Sequence, residues 1–326
     1  MSTNHNANLK KLLRIFYRQG TAFASDLSAQ LNVSVVTINN LLKQLLTTGA
    51  ITEVGIIQRD MGRPAKQYQF NYQQQALLLI TLQEKNSVLT ISRVVSDMAG
   101  NIIADHGDIA FSDYAPNTLI TAIAEAIAAS PQLTAIGLAF PGKIATGVVT
   151  SSWNERFDGW NLKAMLSAIT DLPVFMQNDV HMMTVGYSIH HQLPKDTLKV
   201  GIYFPRQSMP GITIYNSGTI IEGNHNLAGE AKYTPTLQIH GRPKNDDETA
   251  TRLVELMVNY NIALAPHYFI LGSNAIDYQL FADKIAHDDM LKRHPNSFQV
   301  AYMQDITADM QRGLRWLIYR NTPFAL

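Results

Sequence analysis

The hydrophobic positions of this chain change period along its length. Between residues 8 and 48 they recur every three or four residues. Leu9, Leu12, Leu13 and Phe16 come first, then Leu27 and Leu31, then Ile38, Leu41, Leu42, Leu45 and Leu46. That spacing predicts three amphipathic helices. Gly20 ends the first, and Ser25 is placed to cap the second. Asn32-Val33 makes a tight turn, Ser34 caps the third helix, and Gly49 stops it at about Thr47. From residue 51 the apolar runs shorten. Residues 51–54 and 67–70 read as strands on either side of a loop, 58–65, that holds Gly62-Arg63-Pro64. Three helices with a tight turn before the third, followed by a β-hairpin, form the pattern of a winged helix-turn-helix.

After a linker at 72–75 the pattern becomes that of an α/β protein. Residues 76–82 and 88–95 read as buried strands, 97–101 as a turn and 102–104 as the start of a third strand. An Ala-rich helix opens at Asn117 or Thr118 and runs to Ala129. A strand at 136–140 ends at Pro141-Gly142. A polar loop with Asn154, Asp158, Gly159 and Trp160 follows, then a helix at 162–169. A second short apolar run, 174–176, ends at Gln177-Asn178-Asp179 and leads into a helix at 180–189. Further on come a strand at 199–203, a helix at 249–260 and a strand at 268–271. One long or broken helix is expected over 298–319. Ligands of open α/β sheets bind at the carboxyl ends of strands. Residues 136–179 bring two such ends together with amides, a carboxylate and one Trp. That set suits a polyhydroxylated ligand, whose hydroxyls both donate and accept.

Composition narrows the setting. With 326 residues, two or three domains are expected. There is no cysteine, which excludes disulfides and thiolate metal sites. No run approaches the ~18 apolar residues of a membrane helix. The N-terminal stretch lacks the apolar core of a secretory signal, so a cytoplasmic location is expected. The net charge is zero but uneven. Residues 1–66 hold eight Lys and Arg against three Asp and Glu, and the remainder carries the opposite excess. A basic head on an acidic body implies a polyanionic partner for the head. Chance asymmetry of solvated faces is the bland alternative, as is a helical protein-interaction module. The DNA reading gives the head specific chemistry. Ser34, Val35, Val36, Thr37, Asn39, Asn40 and Lys43 lie at the N-terminal end and outer face of the third helix. Asn pairs bidentately with adenine, and Val or Thr methyls touch the thymine methyl. Arg63 at the hairpin tip would reach a phosphate or the minor groove.

Several fragments carry a family resemblance: GRPAKQYQFN, LAFPGKIATG, NERFDGW, LPVFMQNDV and LAGE, in that order, then ALAPHYFILGSN (263–274) and ADMQRGLRWLIY (308–319). Together they resemble the ROK family of sugar-responsive repressors and sugar kinases over nearly the whole chain. The resemblance implies an actin-like, two-lobed sugar-binding body behind a DNA-binding head. It divides the chain into a winged helix-turn-helix domain (1–71), a first lobe (72–187, to which a helix at about 308–326 returns) and a second lobe (188–307). It implies sugar contacts from Gly142, Asn154, Asn178, Asp179 and Glu230. Asp158 could stand in for Asn154, because the loop here is longer than the family's. In the family's kinases the residue matching Asp179 is the general base. A turn or helix cap is the structural alternative for Asn178-Asp179.

Departures from the family bear on function. Its kinases hold ATP phosphates on two Gly-rich turns whose backbone amides approach closely. Here the first turn reads TLQEKNS (81–87), with no glycine, and the second FPRQSMPG (204–211), with two prolines and one glycine. Phosphoryl transfer would lack its main electrostatic support. The cysteine cluster of the family's zinc site is missing, so no metal and no cofactor are expected, and His190-His191 reads as a solvated helix end. The leading expectation is a DNA-binding transcription regulator, a repressor, acting as a homodimer or dimer of dimers on a palindromic operator and answering to a sugar or sugar derivative. Two alternatives stand beside it: a ROK sugar kinase, and a regulator that has lost sugar sensing and answers to a protein partner.

Overall fold

A computed structural model describes residues 3–58, 64–273 and 277–325. The chain opens with α1 (Thr3–Gln19), β1 (Thr21–Phe23), α2 (Ala24–Leu31) and α3 (Val35–Thr47). The hairpin β2 (Ile51–Ile57) and β3 (Ala65–Phe70) completes a head whose three-stranded sheet has the order β1-β3-β2. Leu12, Phe16, Leu27, Ile38, Leu41 and Leu45 fill its core. Ser34 caps α3, its Oγ accepting from the Thr37 N–H at 3.2 Å. Ser25 does not cap α2. That helix begins two residues earlier, at Ala24 after Phe23 in extended conformation, and Ser25 Oγ turns to the Asp26 carboxylate instead. Arg63 and the expected wing tip lie outside the described residues.

The expected linker at 72–75 is not a free tether. Tyr72–Gln74 form one 3-10 turn. Tyr72 donates from its hydroxyl to the Tyr17 carbonyl at 2.7 Å, and Tyr17 donates to the Met98 carbonyl at 3.0 Å. Tyr17, Phe70, Tyr72, Tyr319 and Phe324 form one aromatic cluster, with ring centroids 4.9–6.1 Å apart. Contacts of this kind favour edge-to-face geometry and add to area burial.

The body repeats one plan twice. In the first half come β4 (Ala76–Lys85), β5 (Val88–Ser96), β6 (Ile102–Ala110), α4 (Pro116–Ala128) and β7 (Leu133–Phe140). They are followed by the small hairpin β8 (Gly142–Ala145) and β9 (Val148–Ser152), then α5 (Leu162–Ser167), β10 (Val174–Asn178) and α6 (Asp179–His190). The second half runs β11 (Leu198–Phe204), β12 (Gly211–Asn216), β13 (Thr219–Ile220), α7 (Pro235–His240), α8 (Asp246–Leu264), β14 (Tyr268–Ser273), α9 (Tyr278–His287), α10 (Asp289–Arg293), β15 (Gln299–Tyr302) and α11 (Ile306–Tyr319). The two sheets have the orders β10-β7-β4-β5-β6 and β13-β12-β11-β14-β15. In each, three antiparallel strands are continued by two parallel ones, so both lobes share a single topology.

Two expected elements differ. The polar loop after residue 141 contains the hairpin β8–β9, and 299–302 is a strand rather than the start of the last helix. Helices α6 and α11 cross between the sheets with backbone against backbone. A Cβ on Gly186 would lie 1.8 Å from the Asp309 carbonyl oxygen, and one on Gly313 would lie 2.2 Å from that of Met182. Only glycine permits that approach. Among the described residues no helix is long and apolar enough to cross a membrane.

Candidate functional site

Between the lobes lies a cleft of about 420 Å³. Its floor is made where β7 ends and α6 begins. Asn178 closes β10 and caps α6, its Oδ1 accepting from the His181 N–H at 3.3 Å, while its Nδ2 donates to the Gly142 carbonyl at 3.2 Å. Both ends of the amide are therefore engaged, and Asn178 fixes the strand turn as well as lining the cleft. Asp179 is the first residue of α6, where the helix dipole favours a negative charge. Its Oδ1 accepts from the Val180 N–H at 2.8 Å. Burial nonetheless pushes its carboxyl up to about 7, against the opposing pull of that N–H and of the Lys143 charge.

Lys143 was not singled out by the sequence. It follows Gly142 on β8 and is 5% exposed. Its Nζ donates to the Ala228 carbonyl at 3.0 Å and lies 3.4 Å from His181 Nε2. His181 Nδ1 is 2.8 Å from Thr213 Oγ1, and burial holds the imidazole well below its ordinary pKa. A neutral ring with its proton on Nδ1 donates to Thr213 and accepts from Lys143. Burial also lowers the Lys143 pKa, while the charges of Glu230, Asp179 and Glu222 resist. Glu230, Asp179 and Lys143 thus line one cleft, 87 residues apart in sequence at their widest. The only sign of Lys143 in the sequence is a cation set directly after a strand turn.

Asn154 sits at the rim with a left-handed backbone (φ 49°), and its Nδ2 donates to the Gln207 carbonyl at 3.0 Å. Asp158 accepts from Ser152 Oγ and is thereby tied to its own loop. Trp160 packs into the core of the first lobe, 5.0 Å from Phe157 and 6.3 Å from Phe140, rather than facing a ligand. That corrects the grouping expected for this loop.

The opposite end of the cleft is where the two Gly-rich turns would stand. β4 and β5 join through Asn86-Ser87, both left-handed (φ 49° and 64°), with Lys85 paired to Val88. This is a two-residue hairpin of the kind two positive φ values allow, and it makes no cradle of amides. Glu84, on β4, is buried, and its Oε2 accepts from the Gln207 N–H at 3.0 Å. The Gln207 carbonyl accepts from Asn154 and from Arg242 Nη1, the latter at 2.7 Å. The remaining glycine of the second turn, Gly211, serves packing: a Cβ there would lie 2.5 Å from Val180 Cγ2.

Further bonds tie the lobes together. Gln177 Nε2 donates to Glu222 at 3.0 Å, Asn226 Nδ2 donates to the Ile144 carbonyl at 2.7 Å, and Lys232 pairs with Glu155 at 3.6 Å.

The third helix has a separate exposed face. Val35 and Val36 are 46% and 70% exposed, and Asn39, Asn40 and Lys43 are exposed beside them. Thr37 is half-buried, with its hydroxyl 2.9 Å from Ser34 Oγ.

Residues 90–237 match the family model described as ROK family. A β-glucoside kinase of Listeria innocua is 27% identical over 224 residues, which are 65% of this chain and 68% of that one. Among solved structures, a ROK family transcriptional regulator, described as a homologue of the E. coli MLC protein, matches with a TM-score of 0.69 and 15% identity over 96% of both chains. A ROK family glucokinase from Streptomyces griseus, solved with glucose and AMPPNP, matches with a TM-score of 0.56 and 15% identity. It covers 73% of this chain and 98% of its own. The structural likenesses show that the chain shares its fold with these proteins.

Proposed function

We infer that this chain, which carries a ROK family domain, is a DNA-binding transcription regulator whose body senses a sugar and performs no phosphoryl transfer. The observation that carries this reading is the head. It comprises three helices, a tight turn before the third and a hairpin packed behind it, with α3 capped and turning Val35, Val36, Asn39, Asn40 and Lys43 outward. An apolar and amide face of that size without a core partner fits the major groove, with Lys43 for the phosphate backbone. We read residues 1–71 as a winged helix-turn-helix domain, 72–187 and 188–307 as the two lobes, and α11 as the helix that returns to the first. The regulator among the solved structures spans the head as well as the body, which supports the same reading.

The sugar would sit on the α6 end of the cleft. Asp179 and Glu230 would accept from hydroxyls there, and Lys143 would donate. Gly142 would contribute its backbone and Asn178 would hold the turn. Asn154 would have to exchange its bond to Gln207 for a ligand hydroxyl. In a homodimer, a ligand that favours one lobe arrangement would change the relation of two heads on a palindrome. The kinase reading draws on Asp179, whose carboxyl lies near neutrality in the place of a general base.

Two assays decide. Fluorescence anisotropy with random-sequence duplex at low salt should show binding that weakens steeply with salt. A coupled ATPase assay with a hexose panel should show no sugar-dependent turnover. Sugar-dependent turnover that Asp179→Asn abolishes would establish the kinase instead, and no duplex binding at any salt would remove the regulator.

A further inference from the structure

Glu84 lines the cleft where the Gly-rich turns of the family's kinases would stand. Glu84 is buried, and its carboxylate accepts from the Gln207 N–H across 123 residues of sequence. Arg242 holds the carbonyl of the same residue and one of its Nη atoms lies 3.4 Å from Gln207 Oε1, so the guanidinium is fixed beside this peptide. Arg206 precedes it in the chain. A main-chain N–H on a peptide whose carbonyl holds a guanidinium, in the field of a second arginine charge, is a site for an anion. Burial drives the Glu84 carboxyl upward, and the Gln207 N–H and the charges of Arg206 and Arg242 oppose that rise. The N–H and the two arginine charges thus favour the charged carboxylate that burial opposes.

We propose that the Gln207 amide, Arg206 and Arg242 form an anion subsite that the chain occupies with its own Glu84, so that the cleft takes neutral polyhydroxylated ligands and refuses phosphorylated ones. A phosphate entering here must either displace a buried carboxylate from its donor or stand beside it, with Asp179 and Glu230 at the other end of the same cleft. Both arrangements are unfavourable for a dianion. Glu84 is then a specificity-determining residue of the sugar site. This deepens the sensor reading and rests on it for the neutral ligand, but the anion subsite can be tested without any sugar.

The test is calorimetric titration of the full chain with inorganic phosphate at fixed ionic strength. Wild type should show no saturable binding. Glu84→Ala should bind phosphate saturably, at least about tenfold more tightly than the weakest affinity the titration detects, and adding Arg242→Ala should remove the gain. Glu84→Gln keeps an oxygen for the Gln207 N–H and removes the charge, and should gain phosphate affinity in the same direction. It carries the test if Glu84→Ala fails to fold. The proposal is overturned if wild type binds phosphate as tightly as both variants, or if neither variant gains affinity. It is also overturned if the gained affinity survives Arg242→Ala. A parallel titration with hexoses and their 6-phosphates separates the two readings. Phosphate gain without any hexose binding sinks the sensor and keeps the subsite. Hexose binding by wild type without phosphate gain in the variants does the reverse.

Discussion

Replacing Asp179 by asparagine should stabilise the protein while removing its grip on a ligand. The side chain is 8% exposed, and burial raises its carboxyl from the ordinary 3.8 to about 7. A folded pKa above the unfolded one means that the native state holds the proton more tightly. The resulting penalty is absent below about pH 4, grows as pH rises toward 7 and is constant above it. A shift of roughly three units corresponds to about 4 kcal/mol at pH 8, and less than half of that remains at about pH 5. Asparagine keeps an oxygen for the Val180 N–H, so the local hydrogen bond survives. It also leaves Lys143 with one counter-charge fewer, which lowers the net gain to roughly 1–3 kcal/mol at pH 8. Guanidinium unfolding followed by Trp fluorescence, with wild type and variant compared at about pH 5 and pH 8, reads this as a midpoint difference that widens with pH. A variant no more stable than wild type at pH 8, or a difference that does not change with pH, would refute the reasoning. A functional carboxylate held at a cost in stability is the trade expected of a binding site.

Three further outcomes are expected. Gly186→Ala should lower stability by at least about 1–3 kcal/mol, because the new methyl group meets the Asp309 carbonyl; an unchanged melting temperature would mean that α6 and α11 separate easily. Lys43→Ala should weaken duplex binding about equally for all sequences and reduce the slope of log affinity against log salt by about 1, measured by anisotropy. Glu230→Ala should abolish sugar binding in calorimetry and leave duplex affinity intact, and loss of the folded state in circular dichroism would assign Glu230 a structural role instead.

The head was legible because its signals are local. Ser34, the three-four spacing and Asn32 in a left-handed turn (φ 52°) specify α3 within a few residues. The misses have non-local or strained causes. The hairpin β8–β9 turns at Thr146-Gly147 with Thr146 at φ 52°, a conformation that a β-branched residue rarely adopts. The strand at 299–302 owes its form to pairing with β14, 31 residues earlier. Glu84 lies in a stretch, QEKNS, that reads as a solvated turn, and its bond from Gln207 comes from 123 residues further along the chain. Lys143 and His181 meet across 38 residues, a relation no spacing rule contains. The resemblance marked Asn178, Asp179 and Glu230, which do line one cleft with Asn154 and Gly142.

The crossing of α6 and α11 has a mechanical consequence. Gly186 meets the carbonyl of Asp309, four residues before Gly313, and Gly313 meets the carbonyl of Met182, four residues before Gly186. The contact is reciprocal, as an axle with matching bearings would be. Main-chain atoms have no rotamers to change, so the joint has little compliance where the two helices touch. A displacement of α6 at its first residue, Asp179, would therefore carry α11 with it. Tyr319 ends that second helix among the rings that seat the head, so no slack segment separates the crossing from the head.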